Sequence, residues 1–143
     1  IHGLDSVLNN GNGGASINSI GDLNLQNNQL GGINILAGKV MIDTNGNIKT
    51  EGSITTKKLN IDTTSDTGSE SLGSGTIAAG DTNIDITTSA VTNKSKIFVT
   101  ATDKTGKQPL IVSQKLAGVG FTVSVETAYS QDIKFDWLIV DER

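Results

Sequence analysis

The chain has 143 residues, a net charge of −4 and a sequence pI near 4.8, and only 3% of its residues are aromatic. This length allows one ordinary domain or two small ones. The sequence has no Lys/Arg cluster, which argues against a nucleic-acid partner. It has no cysteine, which excludes disulfides, Cys-ligated zinc and thiol nucleophiles. No apolar run approaches the ~20 residues that span a bilayer, so we expect no membrane insertion.

The N-terminal segment, residues 1–29, is polar and rich in Asn and Gly. Apolar residues at near-helical spacing within residues 4–8 suggest the tail of a helix or coiled coil that begins upstream. The NNGNGG sequence at residues 9–14 would end such a helix. We expect a fragment or processed form, with any export signal upstream of residue 1, and we expect this segment to begin a stem.

Residues 30–61 carry aliphatic residues spaced six apart, with glycines between them. A period of six does not fit the 3.6-residue period of a helix but is a multiple of the strand period of two. Asn45-Gly46 is the strongest short turn signal in a sequence. The pattern predicts short strands that turn at glycines and direct one aliphatic residue inward at each step. These residues are Leu30, Leu36, Ile42, Ile48 and Ile54.

This repetitive β-stem is too thin to bury its own aliphatic side chains. One aliphatic side chain per step contributes ~1.5–3 kcal/mol when buried, whereas ordering six residues costs ~6–12 kcal/mol of backbone entropy. Three copies around one axis would share an interior and leave no open strand edge. We therefore predict a homotrimer with these five residues as its core. The alternative is a left-handed β-helix formed by one chain, for which the segment is short.

Residues 62–75 are rich in Ser, Thr, Gly and Asp and are predicted to form a linker. Residues 76–143 are predicted to form a C-terminal head, because strand-like runs alternate there with turn signals at short intervals. Apolar and polar residues alternate most clearly in 121–125 and 133–139. This spacing is typical of a β-sandwich or small barrel. The predicted strands are 76–79, 83–87, 96–101, 109–113, 120–126 and 132–140.

The stretch KVMIDTNGNIKTEGSITTKKLNI, residues 39–61, resembles the stem repeats of phage tail fibres and bacterial fibrous surface proteins. In those proteins a strand, an Asn-Gly turn and a G-x-I step recur before a C-terminal head. The head resembles small C-terminal β-domains of similar bacterial surface proteins, so the resemblance covers about residues 20–143. It implies a homotrimer that is extracellular, on a cell surface or on a virion.

The residues and the resemblance together predict an all-β fold. The stem is expected to be an intertwined trimeric β-prism or triple β-helix. A small antiparallel β-sandwich head, similar to a jelly roll, is expected to follow it.

Metal and cofactor sites are not favoured by the sequence. The oxygen-rich D-x-N-x-N spacing from Asp43 is compatible with a calcium loop, but the bidentate Glu that such a loop has at its twelfth position is absent. An Asn-Gly hairpin turn explains the same residues. His2 is the only histidine, and at a polar terminus we interpret it as solvated or as a cloning remnant. We therefore expect no metal and no cofactor.

Acidic residues near the C-terminus raise the question of glycosidase chemistry, which uses paired carboxylates. They alternate with, or directly follow, the apolar residues of the last predicted strand, so we interpret them as the solvated face of that strand. We expect no catalytic residues. The acidic residues considered are Asp132, Asp136, Asp141 and Glu142.

Ligand binding is predicted in two loops of the head, residues 102–108 and 127–131, because exposed loops commonly carry binding residues on β-sandwiches. The predicted binding residues are Tyr129, Lys104, Lys107 and Gln131. Tyr129 is interpreted either as a core residue or as a platform for a sugar ring, whereas the position of Trp137 favours the core.

These observations predict a non-enzymatic structural or adhesive module of a homotrimeric fibre. In this hypothesis the head caps the fibre and contacts a cell-surface receptor or glycan. The first alternative is a carbohydrate-binding module on a spacer stem. The second alternative is an enzyme that depolymerises polysaccharides, like some tail spikes.

Overall fold

The computed structural model describes residues 20, 22, 25, 28–63 and 68–142. Among these residues every regular element is a β-strand, and the strands form three antiparallel sheets of three strands each, which confirms the predicted all-β class. The chain divides into two compact units between Lys57 and Lys58. His2, the helical interpretation of residues 4–8 and most of the predicted segment 1–29 lie outside the described residues.

The first unit contains a β-meander of very short strands: β1 (Ile33–Ile35), β2 (Val40–Ile42) and β3 (Ile48–Thr50). Both neighbouring pairs are antiparallel. The predicted turn at Asn45-Gly46 joins β2 to β3, with Gly46 at a φ of +80° that favours glycine. The predicted short strands separated by turns are therefore present.

The second unit is a β-sandwich of two antiparallel sheets, with strand orders β4-β9-β6 and β5-β8-β7. The predicted sandwich is thus confirmed, although its strands are fewer than the eight of a jelly roll. The strands are β4 (Leu72–Ile77), β5 (Asn83–Thr87), β6 (Ser95–Ala101), β7 (Ile111–Leu116), β8 (Gly120–Ser124) and β9 (Ile133–Asp141).

The sandwich core forms where the inner faces of the two sheets meet. The alternation predicted for the last strand is present, because its odd-numbered residues from 133 to 139 are buried. Trp137 packs edge-on against Phe121 of the other sheet, with ring centroids 5.4 Å apart and an interplanar angle of 76°. Trp137 is therefore a core residue, as predicted.

Strand β4 begins at Leu72, whereas the sequence predicted linker up to residue 75 and a strand only from residue 76. The physical reason is the size of the facing rings. A Cβ on Gly73 would lie 2.5 Å from Trp137 Cζ2, and a Cβ on Gly75 would overlap the Phe135 ring. Glycines that suggest a linker by composition are here strand residues that make room for two core aromatics.

Candidate functional site

The meander presents one apolar face, which we call the stem face. Strand register places Ile33, Ile42 and Ile48 in one row across the three strands and Ile35 and Val40 in the neighbouring row. Because side chains alternate along a strand, these residues share one side of the sheet. The opposite side carries polar Asn34 and Lys49 on either side of Met41.

The stem face is only partly covered in the protomer. Ile48 is 64% exposed and Ile35 is 46% exposed, while Ile33, Val40 and Ile42 are half-buried. A sheet normally buries its apolar face against another layer. The part of the chain that the structure describes leaves that face partly open to solvent.

The five predicted trimer-core residues do not all lie on this face. Ile42 and Ile48 do, as opposed residues of β2 and β3. Leu36 lies in the turn between β1 and β2, Leu30 precedes β1, and Ile54 follows β3. The six-residue spacing therefore runs through strands and turns in succession, and the role of these residues in a trimer stays a prediction.

Sequence reasoning missed Ile33 and Ile35 of the stem face, because it followed the six-residue spacing alone. The signal that reveals them is the period-two alternation of β1 and β2, in which Ile33 and Ile35 are separated by Asn34. Alternation within each strand, and not the spacing between strands, decides which side chains share a face.

The β2–β3 turn is built around Asp43, the first residue of the D-x-N-x-N segment. Its Oδ1 accepts the backbone N–H of Asn45 and of Asn47 at 2.9 Å each, and its Oδ2 accepts the Asn47 side-chain amide at 2.9 Å. Hydrogen bonds from the Asn47 side chain and backbone, followed by that of Asn45, hold the pKa of this exposed carboxyl below 3.8. The segment thus forms the hairpin turn that the sequence favoured.

A cleft at one end of the sandwich, the tip cleft, brings together most of the predicted binding residues. It has a volume of about 490 Å³ and is lined by Ala101, residues 103–107 and Tyr129. Lys104, Lys107 and the half-buried Tyr129 therefore lie around one opening. Gln131, the fourth predicted residue, does not line it.

Two contacts join the loops that form the tip cleft. Gln108 Nε2 donates to the Thr127 carbonyl at 2.8 Å, and its Oε1 accepts the Thr127 N–H at 2.9 Å. Tyr129 packs so closely on Gly106 that a Cβ there would lie 2.8 Å from the ring. Lys107 has a φ of +69°, a left-handed conformation that costs a non-glycine residue ~1 kcal/mol and is often found at binding sites.

The acidic residues considered for glycosidase chemistry are all engaged in local contacts. Three of them accept hydrogen bonds from nearby groups, and the fourth is in an ion pair. The partners are the Ala79 N–H for Asp132, Ser74 for Asp136, Ser95 and Thr92 for Asp141, and Lys96 for Glu142.

Comparison with protein-family models, with curated protein sequences and with solved structures finds no match to this chain. Within the described ranges there is also no helix that is long and apolar enough to cross a membrane. The strands and sheets of the described residues define an all-β protein with a β-sandwich.

Proposed function

We propose that this chain is a non-enzymatic structural module of a homotrimeric fibre that acts on a cell surface or virion. The meander belongs to the stem, and the sandwich is a head that caps it. The observation that carries this proposal is the open stem face. Among the described residues, Ile35 and Ile48 of this aliphatic face stay exposed, although the apolar face of a sheet requires a covering layer.

Copies of the same chain are the covering layer that fits best. Full burial of a side chain such as Ile48 stabilises the folded state by ~1.5–3 kcal/mol relative to leaving that side chain exposed. Among the described strands, β1 and β3 also form the two edges of their sheet, and edge strands invite pairing with another chain. Three stem faces turned toward one axis bury the aliphatic side chains together, and neighbouring edges then protect each other.

The mass of the full chain in solution tests the proposal. Sedimentation equilibrium is expected to give a particle of three chains of 14.9 kDa each. Ile48→Asp is expected to dissociate it, because the substitution would bury unpaired carboxylates near the axis. Lys49→Asp is the matched control, since it places the same charge on the opposite face of the same strand. A monomer at all concentrations would refute the trimer. An Ile48→Asp trimer with unchanged Tm would show that Ile48 does not lie in its interior.

A second candidate function is glycan binding, and the observation that favours it is the tip cleft. An aromatic ring beside two lysines is suited to stack on a sugar and to attract its anionic groups. We expect Lys104→Ala to weaken binding on a glycan array, whereas Lys49→Ala in the meander leaves it unchanged. An array on which neither the chain nor its variants bind any glycan would leave the head with a capping role only.

A further inference from the structure

The outer face of sheet β4-β9-β6 carries an apolar row that the core does not use. Strand register aligns Leu72, Leu138 and Phe98 across the three strands, and Val140 lies two residues beyond Leu138 on the same face. We call these four residues the head stripe. Phe98 is 58% exposed, Val140 48% and Leu72 36%.

The outer face of the other sheet has a different character. Its central row consists of Asp85, Thr122 and Gln114, and Thr122 Oγ1 donates to Asp85 Oδ1 at 2.6 Å. Its exposed aliphatic residues, Ile111 and Leu116, lie in separate rows at the two ends of β7. A contiguous, partly exposed apolar row is thus found on one side of the sandwich, and a row of this kind is suited to contact another surface.

The border of the head stripe carries charges of both signs. Lys96 pairs with Glu142 at 3.2 Å, and Asp136, which accepts a hydrogen bond from Ser74, occupies the next row. Lys134 lies one row further along β9. Such a mixed border is complementary to another copy of itself and does not suit a polyanion, which requires one continuous sign of charge.

The size of the head stripe also limits the kind of interface that it can form. Its exposed area is on the order of a few hundred Å², since a whole aromatic side chain buries about 150–250 Å². A stable interface between free proteins needs about 800 Å² per partner. Heads that a common stem already holds together are at millimolar effective concentration, and for them a small interface suffices.

We infer that the head stripe packs against the heads of neighbouring copies within the fibre. This inference rests on the proposed trimer and adds a second contact between the chains, centred on Phe98. In this arrangement the polar outer face of sheet β5-β8-β7 and the tip cleft remain available to other molecules.

Alkylation of single introduced cysteines tests the inference, because the natural chain has none. Val140→Cys places the thiol in the head stripe and keeps Phe98 in place, and Thr87→Cys places it on the exposed outer face of the other sheet. Rates of reaction with iodoacetamide are measured on the full-length assembly by mass spectrometry. We expect the thiol of Val140→Cys to react about tenfold more slowly than that of Thr87→Cys, because the contact around the head stripe must open before the reagent reaches it.

The same two variants combined with Ile48→Asp complete the experiment. The inference predicts that dissociation of the stem raises the alkylation rate of Val140→Cys to that of Thr87→Cys. Equal rates in an intact trimer would overturn this inference and leave the proposed trimer standing. Protection of the head-stripe thiol that persists in the monomer would also overturn it, by showing that its own chain covers the stripe. A parent chain that is monomeric by sedimentation would refute both proposals.

Discussion

The meander and the sandwich use the same β-strand alternation but differ in what covers their apolar faces. In the sandwich the two sheets bury each other's inner residues, with Phe135 completely inaccessible to solvent. In the meander the described residues leave Ile48 mostly exposed. A single sheet cannot bury its own apolar face, and in the proposed trimer other chains would cover that of the meander. The sandwich contains its own core.

The largest expected effect is in the sandwich core. Phe135→Ala removes a fully buried ring and should lower the free energy of unfolding by about 3–5 kcal/mol. Because the lost contacts lie within one protomer, the loss should not depend on protein concentration. Urea unfolding at several concentrations, followed by the fluorescence of the single Trp137, measures it.

Ile48→Ala supplies the contrast in the meander. In a monomer this substitution should change the free energy of unfolding little, because the Ile48 side chain is already exposed. In the assembly it should lower the affinity between chains. If Phe135→Ala and Ile48→Ala lowered the free energy of unfolding equally and independently of protein concentration, the meander would not depend on partner chains.

A smaller effect is expected where glycine makes room for the core. Gly75→Ala brings a methyl group into the Phe135 ring and to 3.0 Å from Ile86 Cδ1. We expect a loss of about 1–3 kcal/mol in urea unfolding, as is typical of overpacking. Gly52→Ala, in the other unit, is the control, because its Cβ would meet only Thr50 Oγ1 at 4.0 Å and should change stability by less than about 0.5 kcal/mol. Equal losses would argue against the packing explanation.

The smallest expected effect is a local pH dependence of the meander. The pKa of Asp43 is lowered from 3.8 by hydrogen bonds that stabilise the folded turn. That stabilisation is complete above pH 3.8 and is lost as the pH falls through the lower folded pKa. Acid titration by NMR should therefore show the amide chemical shifts of Asn45 and Asn47 changing together below pH 3.8. Asp43→Asn should abolish the change, and its persistence would assign the titration to another group.

Much of this architecture could be predicted from the sequence, because strand alternation and turn chemistry are local properties. The predicted strand 83–87 matches β5, and the Asn45-Gly46 turn lies where the sequence placed it. The tip cleft was partly predictable because loop residues Lys104 and Tyr129 are polar or aromatic in a region of turns. That Gln131 lies outside the cleft could not be read from its position in the chain.

The sequence by itself determined the β class, the buried alternation of β9 and the hairpin at Asp43, since each depends on neighbours within a few residues. Only the tertiary structure decided that Gly73 and Gly75 are strand residues, because the reason is a pair of rings more than fifty residues further along the chain. Register between distant strands likewise assembled Leu72, Leu138 and Phe98 into one row. Such cross-strand neighbours depend on which strands pair, and these strands lie far apart in the chain, so the alternation within one strand does not identify them.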